Sequence, residues 1–328
     1  MIKYTLRRIA EVIPTTFGIL LLSFILFNVV GGSPAEVILG KNATAESIAA
    51  FNHKWGYDKP LVLDFSALRF HGFRIENAAK VFDTQFVGFV KGLATGDLGY
   101  SLEMKEPVAE TLKRGLAPSL SLTVPILLGG TAIALMLAML SAAFRGRFAD
   151  KAVLFGSTVL MSVNYVIWVL LGQFLFSYKL GLFPVWGYES WFYLALPVFI
   201  GIFSSLGTDI RFFRTAILDE LYKPYVLTAR SKGLSRTAVL MRHVLPNAMI
   251  PIVTYVSLSI PWLFTGSLLL ESFFGIPGLG SVSINAIHSA DMAVVRAVVV
   301  LGALLYQFVN LATDLLYAAL DPRVRFSV

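Results

Sequence analysis

The chain has 328 residues, 56% of them hydrophobic and only 14% charged, with a net charge of +7 and no cysteine. Soluble domains run closer to roughly 45–50% apolar and about 25% charged, so a water-soluble fold is excluded, as is intrinsic disorder, which requires low hydrophobicity. Disulfides, thiolate metal sites and cysteine nucleophiles are excluded too, and in a bilayer the placement of the positive charge matters more than its sum.

Six stretches approach the ~20 apolar residues needed to cross a ~30 Å hydrocarbon core: 9–30, 118–143, 152–176, 191–208, 247–270 and 293–318. The first follows Lys3, Arg7 and Arg8 in the manner of a signal peptide. Its apolar run is longer than a usual signal core, and no small-x-small site precedes Gly31-Gly32-Ser33-Pro34, so it reads as an uncleaved span. Residues 31–117 are too long for a simple connection and are expected to hold structure. Thr44 caps a helix there, with Glu46 in its first turn and Gly56 as its stop. Phe82, Phe86, Phe89, Val90 and Leu93 share one face of a second helix ended by Gly96. Alternation from Ala67 to Glu76 around His71-Gly72 suggests a small hairpin. Pro197 falls in the fourth span, and Pro251 and Pro261 in the fifth. Each marks either a packed kink or a helix that lines a pathway.

Fifteen basic residues fall in the termini and loops on one side, against Lys179 and the border residue Arg296 in the opposite short loops. The positive-inside rule makes both termini cytoplasmic and places 31–117 outside. The expected organisation is 1–30 as N-terminus and first span, 31–117 as an external (periplasmic) segment, and 118–328 as a five-span core.

The cytoplasmic loop 209–246 is expected to form two short helices. Pro224 suits the first position of one and Gly233 its end; Ser235 then caps another through Arg242. Its basic residues are interrupted by Tyr225, Val226, Ala229, Leu234, Val239 and Leu240. Three readings are open: an amphipathic surface docked in a partner's groove, a helix on anionic headgroups, or topology-setting charge.

Tyr225-Val226-Leu227-Thr228-Ala229-Arg230-Ser231-Lys232-Gly233-Leu234, followed by His243-Val244-Leu245-Pro246-Asn247, resembles the cytoplasmic loop of binding-protein-dependent ABC importer permeases. That loop carries Glu-Ala-Ala, three residues, Gly, nine residues, Ile, one residue and Leu-Pro. Ala229, Gly233, Leu245 and Pro246 match it. Leu227, Thr228 and His243 depart from it, and with Arg230 and Lys232 they resemble the peptide-permease branch instead. Further stretches are similar to that branch: Leu6-Arg7-Arg8 through Ile13-Pro14, Tyr57-Asp58-Lys59-Pro60-Leu61, Gly96-Asp97-Leu98-Gly99-Tyr100-Ser101 with Pro107-Val108, Phe274-Gly275-Ile276-Pro277-Gly278-Leu279-Gly280, and Asp321-Pro322-Arg323-Val324-Arg325. Residues 64–82 look longer than the usual spacing.

The resemblance implies an all-α polytopic permease of the type I importer kind, with six transmembrane helices, in a bacterial inner membrane. It implies as partners a second permease, two ATP-binding subunits and a periplasmic solute-binding protein. The solute class it implies is di- or oligopeptides, with nickel or oligosaccharide as alternatives. In the family this loop docks on the ATPase and couples it to the pore. The positions so implied are Tyr225, Thr228, Ala229, Arg230, Lys232, Gly233, Leu234, His243, Leu245 and Pro246.

The residues themselves point to no enzyme. Gly40-Lys41-Asn42 lacks the remainder of a phosphate-binding loop, so ATP and Mg are expected only at partner subunits. His53, His71, His243 and His288 lack metal-ligand spacing. A self-sufficient secondary transporter would carry an inverted repeat and midplane charges, and neither is evident. Polar residues in or beside spans are Asn28, Asn164, Gln173, Gln307, Asn310 and Asp314. Asp314 is expected to pair with Arg323, Arg325 or a partner. Asn164, Glu271 and Asp291 are candidates for the pathway or external gate. For Glu271 and Asp291, each taken alone, a solvated loop is the plainer reading.

Overall fold

The structure is a computed structural model that describes residues 2–30, 35, 39–40, 43–62, 81–101 and 103–320. In chain order its helices are α1 (Ile2–Val30), α2 (Ala45–Trp55), α3 (Gln85–Thr95), α4 (Val108–Ala143), α5 (Phe148–Ser162), α6 (Tyr165–Gly172), α7 (Trp191–Leu221), α8 (Pro224–Ser231), α9 (Arg236–Val239), α10 (Leu245–Ser257), α11 (Ile260–Thr265), α12 (Leu268–Phe274), α13 (Leu279–His288) and α14 (Met292–Leu320). A two-residue hairpin pairs β1 (Tyr100–Ser101) with β2 (Glu106–Pro107). π-Helical turns Gln173–Lys179 and Leu240–Val244 extend α6 and join α9 to α10.

Among the described residues, five helical stretches are long and apolar enough to span a bilayer: those within α1, α4, α7, the run Arg236–Thr265, and α14. Two further pairs qualify only as bent spans. α5 and α6 meet at 92°, and α12 and α13 at 86°. The predicted third span, 152–176, is therefore broken rather than straight. The break falls at Val163-Asn164, where Val163 is extended and the Asn164 side chain caps α6 by accepting from Val166 N at 2.9 Å. The predicted fifth span, 247–270, also differs. It begins earlier, at Arg236, and ends at Gly266, whose φ of +73° an L-residue rarely adopts.

The predicted cytoplasmic loop 209–246 is shorter than expected. α7 runs on to Leu221, because Ile210, Phe213, Ala216 and Ile217 keep a buried apolar face beyond the predicted end of the span. The second helix does not stop at Arg242; it passes through the π-turn into α10.

The chain divides into two compact units. One is built from residues 2–5, Arg114–Ile284 and the described residues from Leu305 on; the other from the described residues of Leu6–Lys113 and Asn285–Leu304. In the second unit α2 and α3 form as the sequence predicts. Thr44 and Thr84 accept from Ser47 N and Val87 N, and Gly56 and Gly96 close the helices at φ +74° and +80°. Phe82 lies before α3 and is exposed. Phe86, Phe89, Val90 and Leu93 pack on Leu20, Phe24 and Val300. The predicted hairpin at 67–76 lies outside the described residues, as do Arg323 and Arg325.

In the first unit α7 is the central element. It packs against α5 and α10. A Cβ at Gly207 would meet Ser157 O at 2.8 Å and Met161 Cγ at 2.7 Å, so glycine sets how closely α7 approaches α5. The apolar residues left exposed are large and many, among them Leu22, Met136, Phe155 and Phe308, each at least 66% exposed. A surface of that kind belongs against lipid or another subunit, not water.

Candidate functional site

The loop after α7 folds into an elbow. Pro224 occupies the first turn of α8, where its missing N–H costs no hydrogen bond. Gly233 turns the chain at φ +81°. Ser235 then caps α9, accepting from Ala238 N at 3.2 Å. The inner face is held by burial. Val226, Ala229, Val239, Leu240 and Val244 join one core with Ala138, Ala142, Phe213 and Ile217. Each fully buried Val or Leu side chain contributes about 1.5–3 kcal/mol, so the elbow is fixed to its helices rather than tethered to them.

Polar contacts reinforce it. Tyr225 Oη donates to Glu220 Oε2 at 2.7 Å, and Lys223 pairs with the same carboxylate. Burial first, then the hydrogen bond to Glu220 and its charge, push the Tyr225 hydroxyl up to about 12, so it stays a donor at neutral pH. Asp150 and Arg214 pair through two 3.0 Å bonds, and Asp150 also accepts from Ser141 and from Gly146 N. This buried pair ties α7 to the α4–α5 turn.

The outer face is different. Thr228, Arg230, Lys232, Gly233, Leu234 and Pro246 are all exposed, as are Leu227 and Met241. Among the positions singled out in the sequence, Ala229 is buried, while Tyr225, His243 and Leu245 are half-buried. The outer face thus mixes guanidinium and ammonium groups with uncovered leucine and methionine.

Glu271 is fully buried, which overturns its reading as a solvated loop residue. It sits at the bend between α12 and α13. Ser119 Oγ and Ser267 N donate to Oε1 at 2.8 and 2.9 Å. Gly280 N and Ser281 N donate to Oε2 at 2.7 and 3.1 Å. Leu279 N in turn donates to Ser119 Oγ at 2.7 Å. Four donors satisfy a carboxylate that burial would otherwise penalise heavily. The glycines explain themselves here. A Cβ at Gly278 would lie 2.5 Å from Ser119 Oγ and against the Glu271 carboxylate; one at Gly280 would lie 2.8 Å from Leu268 N. The stretch Phe274–Gly280 is thus a turn wrapped round an anion.

Asp291 is likewise buried, not solvated, at 2% exposure. Ser101 Oγ donates to it at 2.6 Å and Glu103 N at 3.3 Å, and it caps α14 through Val294 N. It anchors the β1–β2 hairpin. Gln173 bridges the carbonyls of Val185 and Phe273 at 3.0 and 2.8 Å. Asn164, Glu271 and Asp291 are therefore all engaged in shaping turns.

Sequence reasoning missed a cavity of about 560 Å³ in the first unit. Asp209 of α7 and Tyr255 of α10 line it, Tyr255 Oη donating to Asp209 Oδ1 at 2.9 Å. The signal was present: a lone acid at the end of an apolar run. The apolar run falls off just before 209, so the sequence pattern places Asp209 at the start of a loop. Among the described residues, no cluster of three or more His, Asp or Glu has a geometry that could hold a metal ion.

A helical bundle of spanning segments with an exposed basic elbow is the form of a membrane transport subunit. Residues 130–326 match the family described as the binding-protein-dependent transport system inner membrane component, and residues 1–123 match its N-terminal family. The chain belongs to this family, the permeases of ABC importers. It is 31% identical over 329 residues to the glutathione transport system permease protein GsiC of Shigella flexneri serotype 5b, covering 99% of this chain and all of that protein. GsiC of Salmonella typhimurium and of Escherichia coli K12 are also 31% identical, over 327 and 330 residues, with the same coverage.

Proposed function

We propose that this chain is one of two permeases of an importer that carries peptides across the inner membrane. Two ATP-binding subunits, with ATP and Mg, drive it from the cytoplasm, and a periplasmic binding protein delivers the solute. The observation that supports the arrangement is the elbow. Its inner face is locked into the bundle, and its outer face leaves Leu227, Leu234 and Met241 uncovered beside Arg230 and Lys232. A surface built this way transmits rigid-body motion from a docked partner into α7 and α10. The peptide class is supported by the whole-length similarity to glutathione permeases, glutathione being a tripeptide.

In this reading the elbow and both termini face the cytoplasm, and 31–117 lies outside. The central test is reconstitution in liposomes. Uptake of a labelled dipeptide should require ATP, the ATP-binding subunits and the binding protein together; uptake by this chain alone would contradict the proposal. A reporter fused after Val328 should be cytoplasmic and one inserted near His71 external, and the reverse would overturn the orientation.

A further inference from the structure

The cavity found in the first unit has a lining unlike the lipid-facing surface. It opens among α4, α6, α7, α10 and α11, where Thr123, Tyr165, Ser204, Tyr255 and Trp262 present polar groups beside apolar walls. Among the described residues, Asp209 is the one charged group in its lining. The Tyr255 hydroxyl and the neighbouring Ser205 together use at most two of roughly four lone-pair directions on that carboxylate. Among the described residues no Lys or Arg is paired with Asp209. The buried acids of this unit are treated otherwise. Asp150 has Arg214, and Glu271 has four donors. A carboxylate in a membrane segment is costly, and those that persist mark pathways or pair with cations. About 560 Å³ is also within the range of small-ligand pockets.

We propose that this cavity is a transit site for a cationic amino group of the solute, with Asp209 as its counter-charge and the surrounding hydroxyls as hydrogen-bond partners. The peptide N-terminus is the group it would take, so the inference rests on the peptide reading above. Tyr255 and Ser205 hold the carboxylate in place and leave about half of its lone pairs to the ligand.

The absence of cysteine from the chain makes the test direct. Ser204→Cys places one thiol in the cavity wall of the assembled importer. Its modification is followed by mass on this chain, with cationic aminoethyl methanethiosulfonate and anionic sulfonatoethyl methanethiosulfonate. The ratio of the two rates should fall about tenfold when Asp209→Asn is added, a size expected for one nearby charge in a partly dry site. Alanyl-alanine should slow the modification, and N-acetyl-alanyl-alanine should not. An unchanged ratio, or a thiol that neither reagent reaches, would overturn the inference. ATP-driven peptide uptake in the same liposomes separates the two readings. Uptake with an unchanged rate ratio sinks the transit site alone. No uptake of any peptide sinks the peptide reading, while a fallen ratio would still place a cation site in the cavity. Where Asp209→Asn does not assemble, Asp209→Glu should keep the cationic preference, and its loss there counts against the proposal.

Discussion

Two turns in the same unit are built from the same parts and use them in opposite ways. The elbow at 224–246 and the bend at 266–281 each join short helices through glycine in a left-handed conformation. At the bend, Gly266, Gly278 and Gly280 are pressed against the Glu271 carboxylate, and four donors point inward at it. At the elbow, a Cβ on Gly233 would meet nothing within 4 Å, and the charges point outward. The first turn consumes its polar chemistry in holding its own shape. The second holds its shape mainly by apolar burial and leaves the polar groups of its outer face, Arg230 and Lys232, unspent, which is what a partner requires.

The comparison breaks most visibly at the bend. Gly278→Ala drives a methyl into Ser119 and Glu271, where overpacking and a disturbed buried charge together cost about 3 kcal/mol or more. Expression in the membrane and thermal stability in detergent should both collapse; a normal melting curve would mean the carboxylate is not pinned as described. Glu271→Ala should be nearly as damaging, because it leaves Ser119 and three backbone N–H groups unpaired at about 1–3 kcal/mol each. Glu271→Gln, which keeps the shape and one acceptor, should recover part of that loss in the same assay. Gly233→Ala should cost only about 1 kcal/mol, the penalty for a left-handed alanine without a clash. Melting would then shift slightly while peptide-driven ATP turnover falls further than stability explains. Equal losses at Gly233 and Gly278 would erase the distinction between the turns.

Much of this was legible in the sequence for a physical reason: caps and apolar periodicity are local signals. Thr44, Gly56, Gly96, Pro224, Gly233 and Ser235 each act where their chemistry predicts. The bent α5–α6 pair was not legible. An apolar run reads as one span whether or not Val163 is extended, and only the Asn164 cap hints at the break. Glu271 and Asp291 were misjudged for a related reason. Their partners Ser119 and Ser101 lie 152 and 190 residues away, so no window of sequence contains the contacts that bury them. Asp209 was lost to a boundary, since α7 continues past the point where basic residues begin.

The central claim is that the outer face of the elbow is a docking surface. The most direct measurement is association of the ATP-binding subunits with the assembled permease pair carrying Leu227→Asp and Arg230→Glu. Both side chains are exposed, so the thermal stability of the permease itself should change by less than about 0.5 kcal/mol. Co-purification of the ATP-binding subunits should fall at least about tenfold, as expected when the contacts of a docked face are reversed in charge. Undiminished co-purification from a variant that is still folded would contradict the account.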